Sequence, residues 1–272
     1  MIYWCIAAVL LGAGVFIYLN RDALLCVGRW ILHRRYDVSL DGVEKMDPSR
    51  TYLILPNHPA IVDPLVLTSE LYKFKVVIRP LVDESFFSNS IFKHIFMMFN
   101  AVKVPDFRRI NFRPILKVRP TLRDSARRAR ALGETVLNTL AKGGSVLMYP
   151  SGHITSTGKE EMSNRQLAFN IISNLPKDVS VIGVRIRGLY GSMWSRVGGR
   201  PAPRFVWTFV KAIFMWFGTF FRPRRKVSIY FEDITDKSRS WTPGGRQAFN
   251  GELERWYDAD LAAAGHESEP AT

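Results

Sequence analysis

Short apolar runs of strand length alternate with longer segments of helical periodicity along most of this chain, and that alternation restricts it to an α/β architecture. Candidate strands cover residues 52–55, 75–78, 101–104, 145–148, 179–186 and 227–231. Helical patterns run between several of them, at 64–72, 86–99, 121–141 and 159–175. The order predicts a mixed central sheet flanked by helices, occupying residues 36–262 as one domain. A chain of 272 residues is long enough for one such core. Residues 263–272 are polar and are expected to fray.

Ahead of this domain lies a different kind of sequence. Residues 2–19 carry no charge and are rich in Leu, Ile, Val and Ala, with Tyr3, Trp4 and Tyr18 near the ends, where interfacial aromatics anchor a span. An N-terminal membrane helix is expected there. The basic residues Arg21, Arg29, Arg34 and Arg35 follow the apolar run, the reverse of the order in a cleaved signal peptide. By the positive-inside rule the remaining chain then faces the cytoplasm from the inner membrane. Residues 23–32 form a second apolar stretch, broken by Arg29 and too short to span. It is expected to lie along the interface or to fold back as a re-entrant hairpin, so that residues 1–35 form the membrane-associated part. A third apolar stretch, 205–221, contains only Lys211 as a charge and would measure about 26 Å as a helix. Spanning would carry residues 227–231 away from their sheet. An interfacial helix or a wall for an acyl chain is therefore the expected arrangement.

The formal charge of +14 and pI near 10.0 fit an anionic partner. Between Lys103 and Arg130 ten Lys or Arg residues face only Asp106 and Asp124, either as a solvated helix face or as a surface for anionic headgroups. A nucleic-acid partner would explain the charge but not residues 2–19, and no nucleic-acid-binding motif is present. Cys5 and Cys26 are the only cysteines, and neither is spaced for a metal site or a disulfide framework.

Chemistry concentrates at Asn57-His58-Pro59-Ala60-Ile61-Val62-Asp63-Pro64, where the strand at 52–55 ends at Pro56 and opens toward a helix. A five-residue offset places two side chains about 140° apart on an ideal helix. His58 and Asp63 meet only if the chain turns between them, and Pro59 favours such a turn. Once they meet, Asp63 holds one imidazole nitrogen and the other is free to accept a proton from a hydroxyl.

Read with Tyr149-Pro150-Ser151-Gly152-His153-Ile154-Thr155 and Val181-Ile182-Gly183-Val184-Arg185-Ile186, this box resembles three successive motifs of the glycerolipid acyltransferases. The resemblance spans roughly residues 38–235. The segment 151–158, with Gly188-Leu189-Tyr190-Gly191-Ser192-Met193-Trp194-Ser195-Arg196, is most similar to the 2-acylglycerophosphoethanolamine acyltransferase branch. The family implies a membrane-bound enzyme of lipid synthesis or remodelling. His58 would act as base and Asp63 as its orienter, with acyl-CoA or acyl carrier protein as donor and neither cofactor nor metal. Asn57, Gly152 and His153 fall at the substrate, with backbone donors near Gly152 for the oxyanion; His153 suits helix capping or the surface as well. Lys159 and Arg165 suit either a headgroup or the donor's phosphates, or a solvated face.

Two departures from the family pattern matter. The third motif usually carries a glutamate where this chain has Ser151, which points to an acceptor other than glycerol phosphate. The second usually ends in an arginine, where this chain has Asp106; Lys103, Arg108 and Arg109 are the candidate replacements. The competing reading is a non-catalytic lipid-binding protein that retains the fold.

Overall fold

The computed structural model describes residues 12, 14–16, 18–88, 90–105, 110–113, 116–118, 122–198 and 223–263. Among these, seven strands form one mixed sheet in the order β1-β9-β8-β2-β7-β3-β4. The strands are β1 (Tyr36–Asp41), β2 (Tyr52–Pro56), β3 (Ile78–Asp83), β4 (Val102–Val104), β7 (Ser145–Leu147), β8 (Ser180–Arg187) and β9 (Arg225–Asp233). Only the β8–β9 pair is antiparallel. The small strands β5 (Ile110–Arg113) and β6 (Leu116–Val118) make a separate antiparallel pair.

β2 lies mid-sheet between β8 and β7, and all five of its residues are buried. An apolar run without alternation is what a strand covered on both faces requires. Tyr52 and Ile54 point into the layer built with α2 (Asp63–Lys73), through Val66, Leu67 and Leu71. Leu53 and Leu55 point the other way, against Leu132, Val136 and Leu140 of α4 (Leu122–Ala141) and Ile171 of α5 (Leu167–Ser173). Phe249, Leu253 and Tyr257 of α7 (Gly245–Ala263) complete that second layer, beside α6 (Thr235–Trp241). Together the layers enclose the expected α/β core, and the chain from β2 emerges at the sheet's carboxyl edge.

Several boundaries differ from the sequence reading. The strand expected at 75–78 starts at Ile78, because α2 ends in a left-handed turn at Lys75 (φ 61°). Lys75 N–H donates to Tyr72 O and Val76 N–H to Leu71 O, the paired bonds of a Schellman stop. The helix expected over 86–99 divides into a 3-10 segment, Glu84–Ser88, and α3 (Ser90–Met98). The helix expected from 159 to 175 is helical only at Leu167–Ser173. Residues 159–166 instead form a loop with Ser163 in the left-handed region (φ 46°), and Met162 N–H donates to Glu254 of α7.

The apolar stretch at 23–32 belongs to α1 (Arg21–Arg35), capped by the Asn20 side chain on Asp22 and Ala23 N–H. α1 packs on α2, where Glu70, 2% exposed, accepts from Arg29 Nε at 3.2 Å and pairs with His33 Nε2 at 2.5 Å. Among the described residues no helix is long and apolar enough to cross a membrane. Most of segment 2–19, and all of 205–221, lie outside the described residues, as do Arg108 and Arg109.

Candidate active site

The loop after β2 owes its shape to bonds made by its own first residues. Pro56 ends the strand, and Asn57 is then locked in place with its side chain fully buried. Asn57 Oδ1 accepts from Ile186 N–H at 2.7 Å, and its Nδ2 donates to Ile186 O at 3.1 Å and to the Tyr190 hydroxyl at 3.2 Å. Every polar atom of that amide is used on β8 and the loop beyond it. Asn57 is thus a fastening of the site rather than a substrate contact.

His58 follows directly, and the chain turns as Pro59 suggests. Its Nδ1 lies 3.0 Å from Asp63 Oδ2. The same carboxylate oxygen accepts Ala60 N–H at 3.2 Å. Asp63 is the first residue of α2, where the partial positive charge of the helix N-terminus favours an anion. The carboxylate is 0% exposed, whereas the His58 side chain is 16% exposed, so of the pair only the histidine reaches the surface. Ile61 N–H donates to Trp194 O at 3.0 Å and Thr155 N–H to His58 O at 3.3 Å, which ties the box to both neighbouring loops.

A residue that sequence reasoning missed completes the arrangement. Glu160, 3% exposed, accepts His58 N–H on Oε2 at 3.1 Å. Tyr149 stacks on the imidazole, with ring centroids 4.1 Å apart and planes 25° from parallel. Asp63 Oδ1, Tyr149 Oη and Glu160 Oε1 are all buried, with the Tyr149 hydroxyl set against the Asp63 carboxylate and Ser151 against that of Glu160. No pattern marks Glu160 in sequence, because its neighbour Glu161 has the same chemistry yet is exposed and bonded to Thr157 at 2.7 Å.

The electrostatics follow from burial and from these contacts. Burial pushes the His58 pKa down, but the charge and hydrogen bond of Asp63, the charge of Glu160 and a backbone contact at Ala60 outweigh it and hold the imidazole above its ordinary value. Burial holds Asp63 above the usual carboxylate value, against the pull of the His58 ring, the Ala60 N–H and the adjacent Tyr149 hydroxyl. Glu160 is also raised by burial, opposed by Ser151, the His58 N–H and the His58 ring. Burial pushes the Tyr190 phenol to about 12, so it stays neutral beside Asn57.

The other expected site residues divide by position. Ser151 is buried at the site, with its hydroxyl donating to His153 O at 3.1 Å. Gly152 adopts a left-handed φ of 64°, and its N–H is taken by Tyr149 O at 3.0 Å, which removes it as an oxyanion donor. His153 turns back on its own loop, with Nδ1 2.8 Å from Ser151 O, in a turn and not at a helix end. Lys159 is exposed and acts electrostatically on Asp258 of α7. Arg165 is exposed, with its backbone carbonyl tied to Asn250 of α7. Lys103 lies on edge strand β4, three strands or about 14 Å from β2, with its ammonium 4.8 Å from the Phe87 ring centroid. Among the described residues none of these three cations hydrogen-bonds or ion-pairs with His58, Asp63 or Glu160. Among the described residues no cluster of His, Cys, Asp and Glu has the form of a metal site.

A family model of the acyltransferases matches residues 37–187, which run from β1 through β8 and include both His58 and Asp63. The chain belongs to the acyltransferase family. Among solved structures, this acyltransferase is similar to the crystal structure of PlsC, the 1-acyl-sn-glycerophosphate acyltransferase of Thermotoga maritima, with a TM-score of 0.52 at 15% identity. That likeness covers 92% of this chain and 83% of the Thermotoga chain, and at such identity it speaks to the fold. No curated protein matches.

Proposed function

We propose that this acyltransferase moves a fatty acyl group from an acyl thioester, on CoA or acyl carrier protein, to the hydroxyl of a lipid that already carries one acyl chain. The observation that carries the reading is the 3.0 Å contact between His58 Nδ1 and a fully buried Asp63. Nδ1 engaged in this way leaves Nε2 to take the acceptor's hydroxyl proton as its oxygen attacks the thioester carbonyl. Collapse of the tetrahedral adduct expels the thiolate, which recovers the proton from the imidazolium. Asp63 and Glu160 both stabilise that imidazolium while it exists. A lipid acceptor in a membrane fits the net charge of +14 and the apolar segments 2–19 and 205–221. On this reading residues 2–19 anchor the protein in the inner membrane and the catalytic domain faces the cytoplasm.

A lipid-binding protein without catalysis would have no use for a carboxylate buried at such desolvation cost against an imidazole. The test is acyl transfer by purified protein offered acyl-CoA and acyl carrier protein donors with a panel of lyso-lipids and glycerol-3-phosphate, alongside His58→Ala. General-base catalysis predicts a loss of about 10²- to 10⁴-fold in His58→Ala. Normal turnover in that variant, or no transfer from any donor to any lyso-lipid, refutes the proposal.

A further inference from the structure

We propose that Glu160 is the positioning carboxylate of the His58 base: it holds the residue's backbone N–H and supplies, from the loop after Gly158, the anion that position 151 lacks in this chain. The inference rests on the acyltransferase reading of His58. Its basis is geometric. Ser151 is buried but neutral; its hydroxyl donates to His153 O and lies beside the Glu160 carboxylate. Glu160 reaches the same place from nine residues downstream, 3% exposed, with Oε2 at 3.1 Å from His58 N. Its charge also interacts with Asp63 of α2, with Tyr149 and Tyr190 of the two neighbouring loops and with Tyr257 of α7.

Residues 159–166 leave helical geometry to make this reach. The departure is held at both ends: Thr155 Oγ1 donates to Lys159 O, and Met162 N–H donates to Glu254. A loop pinned so that one of two adjacent glutamates is buried, while the other stays in solvent, uses that carboxylate for something. Its Oε1 is buried as well, and Ser151 lies against the carboxylate. Asp63 and Glu160 both hold His58, one through the ring nitrogen and one through the backbone. The first orients the ring and the second fixes the peptide that carries it.

The experiment uses the full-length protein in detergent micelles or nanodiscs, with histidine side-chain NMR titration beside acyl-transfer kinetics. Glu160→Gln keeps an acceptor oxygen for the His58 N–H and removes the charge. The His58 pKa should fall in this variant, and the acid limb of kcat/KM should move to lower pH with it. Glu160→Ala removes the acceptor too, and kcat should fall about 10- to 150-fold, as expected for loss of a charged hydrogen bond. Ser151→Glu combined with Glu160→Ala should recover most of that loss by returning a carboxylate to the same place. An unchanged His58 pKa in Glu160→Gln overturns the inference, and so does a double variant no faster than Glu160→Ala. The NMR titration needs no turnover and no folded Glu160→Ala. It therefore still decides the role of Glu160 if the parent protein transfers no acyl group, the result that would refute the proposed function instead.

Discussion

Replacing Asp63 by Asn tests whether the carboxylate acts through the histidine. The perturbation is small in volume, and it removes one negative charge from a site that is 0% exposed. Asp63 Oδ2 takes two bonds, His58 Nδ1 at 3.0 Å and Ala60 N–H at 3.2 Å. The amide oxygen of Asn can keep both, and its NH₂ then takes the place of Oδ1, where the adjacent Tyr149 hydroxyl oxygen can accept from it. The fold should therefore survive, with a thermal unfolding midpoint close to the parent's. What is lost is the charge that stabilises the imidazolium. A hydrogen bond to a charged group contributes about 1.5–3 kcal/mol, which converts to a rate loss of about 10- to 150-fold. An amide turned the other way, with NH₂ against Nδ1, would fix the wrong tautomer and enlarge the loss toward that of His58→Ala. The assay is thiol release from an acyl-CoA in the presence of a lyso-lipid, with product confirmed by mass spectrometry. Since Asp63 works only through His58, the two losses must not add: His58→Ala and the double variant should have the same rate. A double variant slower than His58→Ala by the full Asp63→Asn factor would refute the reasoning.

Three further outcomes are expected. The rate should rise with pH through the His58 pKa, above the ordinary histidine value of about 6.5, because the base must be neutral. The linkage runs the opposite way: the raised pKa stabilises the fold at low pH, and that contribution disappears as pH climbs through it. An acid limb below the ordinary histidine value in the kcat/KM profile would contradict the Asp63 and Glu160 fields. Gly183→Ala should lower the unfolding midpoint by about 2–12 °C, as about 1–3 kcal/mol of overpacking implies. Its new Cβ would lie 2.5 Å from Trp256 Cη2, on a ring held by Arg185 at 4.4 Å and by a 3.2 Å bond to Glu232, so a midpoint equal to the parent's would show that the ring can retreat. Glu70→Ala should cost about 1–3 kcal/mol in denaturant unfolding by freeing Arg29 and His33, which are partly solvated already. Its effect on rate should be smaller than that of Asp63→Asn, and the reverse order would place Glu70 in the catalytic machinery.

The α/β core was legible because its signals are local. The run at residues 52–55 is apolar at every position, and only a strand buried on both faces uses such a run. The His58 to Asp63 pair was legible too, since Pro59 within a five-residue span leaves few ways for the chain to turn. Element ends were less so. Lys75 in a left-handed conformation carries none of glycine's signature, and the departure from helix at residues 159–166 is imposed by Glu254 and Thr155 from elsewhere in the fold.

What the sequence determined by itself is the chemistry available: a histidine, a nearby carboxylate, a neutral residue at position 151 and an excess of positive charge. Those are properties of residue type and short spacing, and they need no partner to be read. Tertiary structure alone decided which polar groups share the buried space. Asn57 became a fastening because β8 ends where its amide can reach Ile186. Lys103 was removed from the site because strand order placed β4 at the sheet's edge. Glu160 rather than Glu161 joined His58, since the path of one loop across the sheet's carboxyl edge buries one of two identical side chains and leaves the other in water.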